Sequence, residues 1–172
     1  MKDRSLGFTV AVFVFALDQL AKWAVTGPFG VNHIGDQLYL LPFFQFTYTE
    51  NNGISLGLLN ATTEIGRWML VGLTGAIAIG VAWWLGREKS RIDQIALGMV
   101  LGGALGNILD RTRHGYVVDF ADLHFGEWRP FLIFNVGDAA ISIAVVILLL
   151  RAFLSRKDQE TGGDPEERHE HA

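Results

Sequence analysis

Four apolar segments divide the 172-residue chain, and each is long enough to cross the hydrocarbon core of a bilayer. The polar and charged positions are gathered in short loops and at the two ends of the chain. We therefore predict an all-α membrane protein with four transmembrane helices and a single domain over residues 1–154. The predicted spans cover about residues 6–25, 67–85, 92–110 and 131–154.

The loop between the first two spans, residues 27–65, has a different pattern. It contains no lysine or arginine, and aromatic residues alternate with polar ones over residues 43–49. This alternation is typical of β-strands, and Asn51-Asn52-Gly53 indicates a turn. We predict a small β-rich insertion at the outer membrane surface.

Basic residues indicate the orientation. They occur before the first span, in the loop 87–91 and after the fourth span, which all lie on one side of a four-span topology. The positive-inside rule therefore predicts that both termini are cytoplasmic. We also predict that the charged tail, residues 155–172, is disordered. Three arginines lie on the outer side, where pairing with Asp110 or with lipid phosphate is expected: Arg111, Arg113 and Arg129.

Composition excludes some chemistry. The chain has no cysteine, so disulfides, a thiol nucleophile and cysteine-ligated zinc are excluded. The net charge of −4 owes much to the acidic tail, says little about partners and gives no indication of nucleic-acid binding. Glycines 98, 102 and 106 fall on one face of the third span and predict close packing against a neighbouring helix.

Several polar residues are expected at one depth near the outer face. At a rise of about 1.5 Å per residue, Asp18 lies beyond the midplane of the first span. The third span ends near this depth and the fourth begins there, so their polar residues meet at the same level. The expected cluster consists of Asp18, Asn51, Asn107, Asp110, Asp119, Asn135 and Asp138.

Asp119 and Asp138 are the candidates for chemistry. A carboxylate beside hydrocarbon is costly and marks a functional site. Two carboxylates close together share a proton, so that one activates water and the other protonates a leaving group. The residues alone leave alternatives open: Asp110 as a member of the pair, Asp119 as a helix cap, or Asp18 in a simple helix pair with Lys22.

Five motifs in order resemble the bacterial lipoprotein signal peptidase family, also called signal peptidase II. The resemblance covers residues 5–154. It implies an intramembrane aspartyl endopeptidase of the inner membrane, which removes the signal peptide from diacylglyceryl-modified prolipoproteins just before the lipidated cysteine. The motifs are Asp18-Gln19, Asn51-Asn52-Gly53, the run 106–111, the run 117–120 and the run 134–141.

Carried over by motif, the catalytic pair is Asp119 and Asp138. The family also has a β-cradle and a small outer helix, for which residues 27–65 and about 121–130 are the candidates. The chain departs from the family at Gly137, where alanine is usual, and glycine loosens a helix start. The residues that support the site or hold substrate are Asp18, Asn51, Asn107, Asp110, Arg111 and Asn135.

A peptidase of this kind is expected to need no metal and no cofactor, to be monomeric, and to receive its substrate sideways from membrane lipid. Residues 38–46 are expected to close over the scissile bond and limit water access. Membrane carboxylates also form proton relays, so a small proton-coupled transporter is the alternative. A single depth for the carboxylates and the lack of a visible inverted repeat argue against it. A structural or assembly protein is a third hypothesis.

Overall fold

The computed structural model describes residues 5–53 and 63–161, with side chains as far as Leu154. Four of its helices are long and apolar enough to cross a membrane, which confirms the predicted fold class. The elements in chain order are α1 (Ser5–Thr26), β1 (Gln37–Leu41), β2 (Phe44–Asn51), α2 (Glu64–Leu85), α3 (Arg91–Arg113), β3 (Val117–Leu123) and α4 (Val136–Thr161).

Helix α3 forms the centre of the bundle and packs against α1, α2 and α4. Its glycines explain how the other helices come so close. The backbone oxygen of Gly7 lies against Gly98, that of Ala11 lies against Gly102, and Asp18 lies against Gly106. A side chain at any of these three α3 positions would collide with α1, so the predicted glycine ridge is confirmed as a packing surface.

The three strands form one antiparallel sheet in the order β1-β2-β3. The sheet lies at the end of the bundle where α1 and α3 finish and α2 and α4 begin, which we call the sheet end. A cluster of buried residues joins it to the last turn of α1, including Val25, Tyr48 and Phe120. The predicted turn after β2 is also present, because Asn51 Oδ1 accepts a hydrogen bond from Gly53 N–H.

Helix α4 begins at Val136, five residues later than predicted from the apolar run that starts at 131. Phe134 is instead paired with Ala121 of β3 through two backbone hydrogen bonds of 2.8 and 3.2 Å. Residues just before α4 therefore extend the sheet, and hydrophobicity alone does not distinguish a short apolar strand from a helix.

Two other predictions, one of a helix and one of a boundary, are wrong. Residues of about 121–130, the candidates for a short outer helix, form the end of β3 and a turn closed by Phe125 and Trp128. The backbone of α4 continues to Thr161, past the predicted start of a disordered tail at 155. The rest of that tail, residues 162–172, lies outside the described residues.

Candidate active site

Asp119 lies in the middle of β3 with only 2% of its surface exposed. Its Oδ2 accepts a hydrogen bond from Asn51 Nδ2 at 2.9 Å, and its Oδ1 accepts one from Asn135 Nδ2 at 2.6 Å. The strand register accounts for the first contact, because Asn51 is opposite Val117 and is therefore a diagonal neighbour of Asp119 on the same face. The carboxylate is thus held from two directions.

Asp138 lies in the first turn of α4, where Asn135 caps the helix. Asn135 Oδ1 accepts a hydrogen bond from Asp138 N–H at 2.9 Å, and Asn135 N–H donates to Asp138 Oδ2 at 3.4 Å. These reciprocal bonds have the form of a capping box, which satisfies the exposed amides at a helix start. Asn135 therefore contacts both candidate carboxylates, Asp119 through its amide nitrogen and Asp138 through its amide oxygen and backbone.

Asn107 of α3 completes this connection. Its Nδ2 donates to Asp138 Oδ1 at 2.8 Å, and its Oδ1 accepts a hydrogen bond from Asn135 Nδ2 at 3.2 Å. The side chains that hold Asp119 and Asp138 therefore come from β2, α3 and the start of α4. The pair is assembled from segments far apart in the sequence.

Behind the pair lies a buried triad formed by Asp18, Lys22 and Asp110. Lys22 Nζ is 2.7 Å from Asp18 Oδ2 and 2.7 Å from Asp110 Oδ2, and the three residues are at most 5% exposed. Gln19 donates hydrogen bonds from Nε2 to both carboxylates. A charge away from water is stable only when it is paired and hydrogen-bonded, and here one ammonium serves two carboxylates.

The buried triad is attached to the backbone immediately before each candidate carboxylate. Gly137 N–H donates to Asp18 Oδ1 at 2.9 Å, and Gly137 precedes Asp138. Val118 N–H donates to Asp110 Oδ2 at 3.2 Å, and Val118 precedes Asp119. The triad therefore fixes the main chain from which both Asp119 and Asp138 project.

The predicted ion pair between Arg111 and Asp110 is not formed. The carboxylate of Asp110 instead forms an ion pair with Lys22. The guanidinium interacts electrostatically with Asp138, Asp119 and Asp110, and its buried Nε has no hydrogen-bond partner among the described residues. Arg111 therefore supplies positive charge close to the pair without being bound to either member.

Burial and, to a smaller extent, the negative charge of Asp138 raise the pKa of Asp119 to about 6. Hydrogen bonds from Asn51 and Asn135 act in the opposite direction, since they stabilise the ionised form. The neutral form of Asp119 therefore persists to an unusually high pH for an aspartic acid. This is the behaviour expected of a carboxyl group that shares a proton with a neighbour.

Two cavities open beside the pair. The first, of about 790 Å³, lies next to Asp119 between residues 49–53 and residues 129–133, and we call it the polar cavity because its lining is the more polar of the two. The apolar cavity, of about 350 Å³, lies next to Asp138 and is lined mostly by hydrophobic side chains such as Phe134 and Ile143. Phe131 and Leu132 line both cavities, so the segment before α4 divides the approach to the site into a polar and an apolar part.

The residues predicted at one depth lie together at the sheet end. The sequence assigns no role at the site to Lys22 or Gln19: Gln19 appears only as part of a motif, and Lys22 only as a possible helix partner of Asp18. A lysine inside an apolar helix, too deep to reach water easily, was the available signal. Its second partner, Asp110, was not predictable from local spacing. The site residues that lie together are Asp18, Asn51, Asn107, Asp110, Arg111, Asp119, Asn135 and Asp138.

Comparison with known proteins gives a consistent result. Residues 10–154 match the family model described as signal peptidase (SPase) II. A lipoprotein signal peptidase of Rhizorhabdus wittichii is 53% identical over 154 residues, covering 90% of this chain and 89% of that protein. The lipoprotein signal peptidase of Sphingopyxis alaskensis is 53% identical over 148 residues, covering 86% and 85%.

Solved structures agree with the sequence relatives. A bacterial membrane enzyme determined by the in meso method at 2.3 Å resolution has a TM-score of 0.74 and 28% identity, covering 94% of both chains. A second one, at 1.9 Å resolution, has a TM-score of 0.72 and 29% identity, covering 85% of this chain and 91% of that chain. The likeness therefore extends over the bundle and the sheet together.

Proposed function

This chain belongs to the signal peptidase II family, and from that premise we propose that it is an aspartyl endopeptidase acting on lipid-modified prolipoproteins. Family membership makes it a peptidase with several transmembrane helices. In the proposed reaction it removes the signal peptide from a diacylglyceryl-modified precursor just before the lipidated cysteine. One observation carries the aspartyl type: Asn135 hydrogen-bonds both Asp119 and Asp138, and each of these two residues lines a cavity.

The surroundings of the two carboxylates support different roles in catalysis. Asp138 lies in the first turn of α4, where the helix dipole favours a negative charge, so it is the base. Asp119 is buried in the sheet with a raised pKa, so it carries the shared proton.

The proposed reaction has two steps. In the first, Asp138 takes a proton from water as the water oxygen attacks the scissile carbonyl carbon, while Asp119 protonates the carbonyl oxygen. The tetrahedral intermediate then collapses: Asp138 returns its proton to the leaving nitrogen, and Asp119 recovers a proton from a hydroxyl group. Both carboxyls return to their starting states, so the cycle needs no further group.

The remaining residues have supporting roles in this proposal. Asn51, Asn107 and Asn135 orient the two carboxylates, and Arg111 offsets negative charge as the intermediate forms. Asp18 and Asp110 hold the main chain through the buried triad. Asp110 is fully engaged by Lys22, Gln19 and Val118, so it is a brace and not a member of the pair.

We further propose that the protein lies in the bacterial inner membrane as a monomer, with both termini cytoplasmic and the sheet end outside. The distribution of basic residues supports this orientation. A substrate whose signal peptide is a helix in lipid reaches the site sideways. In this proposal residues 38–46, which form most of the β1–β2 hairpin and expose Leu41 and Phe43, close over it. Nothing in the comparisons favours a transporter.

The function is tested with purified protein in liposomes and two synthetic precursors that differ only in the diacylglyceryl group on the cysteine. We expect cleavage of the lipidated precursor before the cysteine and, for the unmodified one, a rate lower by about a hundredfold or more. Mass spectrometry of the products locates the cut bond. Equal cleavage of both precursors contradicts the proposed substrate class. Proton flux without proteolysis favours the transporter.

The proton on Asp119 predicts a pH dependence. Because the acid form is required, kcat/KM should fall as pH rises through about 6, where Asp119 loses its proton. Asn51 stabilises the ionised form, so Asn51→Ala should move this limb to higher pH by about 0.5 to 1 pH unit. The control is Asn52→Ala, whose side chain makes no hydrogen bond to Asp119. A limb that stays in place or moves to lower pH in Asn51→Ala contradicts the assignment of the proton.

A further inference from the structure

Arg129 lies on the rim of the polar cavity and is held there by one of its three guanidinium nitrogens. Nε donates to both oxygens of Asp122, at 3.1 and 3.3 Å. The two terminal nitrogens make no hydrogen bond with any residue in the described part of the chain. The side chain is 47% exposed, and Arg129 is one of the residues that line the polar cavity.

Asp122 is a rigid support for Arg129. It is 1% exposed in β3 and also accepts hydrogen bonds from Gln45 at 2.8 Å and Thr47 at 3.0 Å. Burial favours its neutral form, but the bonds from Arg129, Thr47 and Gln45 outweigh it and lower the pKa of Asp122. The pKa of Asp122 is therefore shifted in the opposite direction to that of Asp119 in the same strand.

We propose that Arg129 is a substrate-binding residue whose terminal nitrogens donate to backbone carbonyl oxygens of the peptide that follows the lipidated cysteine. This inference rests on the proposed function. A prolipoprotein is apolar before the scissile bond and continues as a polar peptide beyond the lipidated cysteine, and the cavity beside Asp119 has a more polar lining than the cavity beside Asp138. The polar cavity beside Asp119 therefore takes the mature side of the substrate, and Arg129 lies on its wall.

The arrangement suits carbonyl recognition. A guanidinium presents planar, fixed donors, and little conformational entropy is lost on binding when another residue already orients it. Asp122 provides that orientation through Nε, which leaves the outer donors for a ligand. A lipid phosphate is also an acceptor for arginine, but Arg129 and Asp119 line one cavity, which favours the peptide at the reacting centre.

The test uses two lipidated substrates in liposomes: one that continues for four residues beyond the cysteine, and one that ends at a cysteine amide. For Arg129→Gln we expect KM to rise about tenfold on the longer substrate with kcat nearly unchanged, and a much smaller rise on the shorter one. Arg129→Lys, which keeps the charge but not the fork, should give an intermediate KM. The control is Arg113→Gln, an exposed arginine outside the cavity.

Each other outcome overturns the inference. Equal losses on both substrates, with a lower unfolding temperature, make Arg129 a brace for the sheet. A loss that depends on the anionic lipid content of the liposomes assigns it to a lipid headgroup. An unchanged KM on the longer substrate excludes a contact with the mature side. The proposed function fails separately, because in that case the wild-type protein cleaves neither substrate.

Discussion

Asp119→Asn and Asp138→Asn should each lower kcat/KM for a lipidated precursor by about a thousandfold or more while the protein stays folded. Asparagine keeps the shape of the side chain but can neither take a proton from water nor return one. Either substitution therefore removes the general acid or the general base from the proton transfers of the reaction. The loss of activity should appear mainly in kcat. Single-turnover cleavage measured by mass spectrometry, together with thermal unfolding in detergent, separates catalysis from folding.

Asp110→Asn is the matched control, since Asp110 lies in the same buried region but is engaged by Lys22 and Gln19. It should retain more activity per folded molecule than either variant of the pair, and it should unfold at a lower temperature. The opposite ranking, with Asp110→Asn the least active and Asp119→Asn nearly normal, would assign the chemistry to Asp110 and Asp138. Wild-type turnover in Asp119→Asn or Asp138→Asn would contradict the proposed mechanism with two carboxylates.

Lys22→Met should be the most destabilising single substitution at the sheet end, with a loss of about 3–5 kcal/mol in the free energy of unfolding. Methionine fills the same volume but leaves Asp18 and Asp110 buried without their cation. Those carboxylates hold the backbone amides of Gly137 and Val118, so activity should fall together with stability. Denaturant unfolding in micelles measures the loss.

A second substitution separates lost charge compensation from lost packing. In Lys22→Met combined with Asp110→Asn, one of the two unpaired charges is removed, and part of the stability should return. Lys89→Met, in the exposed loop before α3, is the control and should change the free energy of unfolding by less than about 0.5 kcal/mol. If Lys22→Met unfolds like the wild type, the buried triad does not brace the site.

The sequence was enough to predict the four spans and the common depth of the polar residues. Both follow from distance along the chain, because the rise of a helix converts sequence position into depth. The glycine ridge of α3 was predictable for the same reason, since a four-residue spacing keeps small residues on one face. These features can be predicted without knowing which segments are neighbours in the fold.

The tertiary contacts that join these polar residues into a site were not predictable from their spacing in the sequence. Lys22 meets Asp110 across 88 positions, and Arg129 meets Asp122 only because the chain turns back on β3. The start of α4 was misplaced because pairing with Ala121, a tertiary interaction, draws residues before Val136 into the sheet. Gly137 lies against Gly103 and donates to Asp18, two contacts between segments that its position in the sequence does not indicate.

The side chain of Asn135 has two structural roles, because the amide group that caps α4 also donates a hydrogen bond to Asp119. The first turn of the helix and the geometry of the carboxyl pair are therefore lost or kept together as one cooperative unit. If Asp119 and Asp138 are the catalytic pair, we expect local fraying at this end to abolish activity while the rest of the bundle remains folded. We expect substitutions of Asn135 to be poorly tolerated for the same reason: glutamine is one methylene too long for the cap, and aspartate would add a third carboxylate beside Asp119 and Asp138.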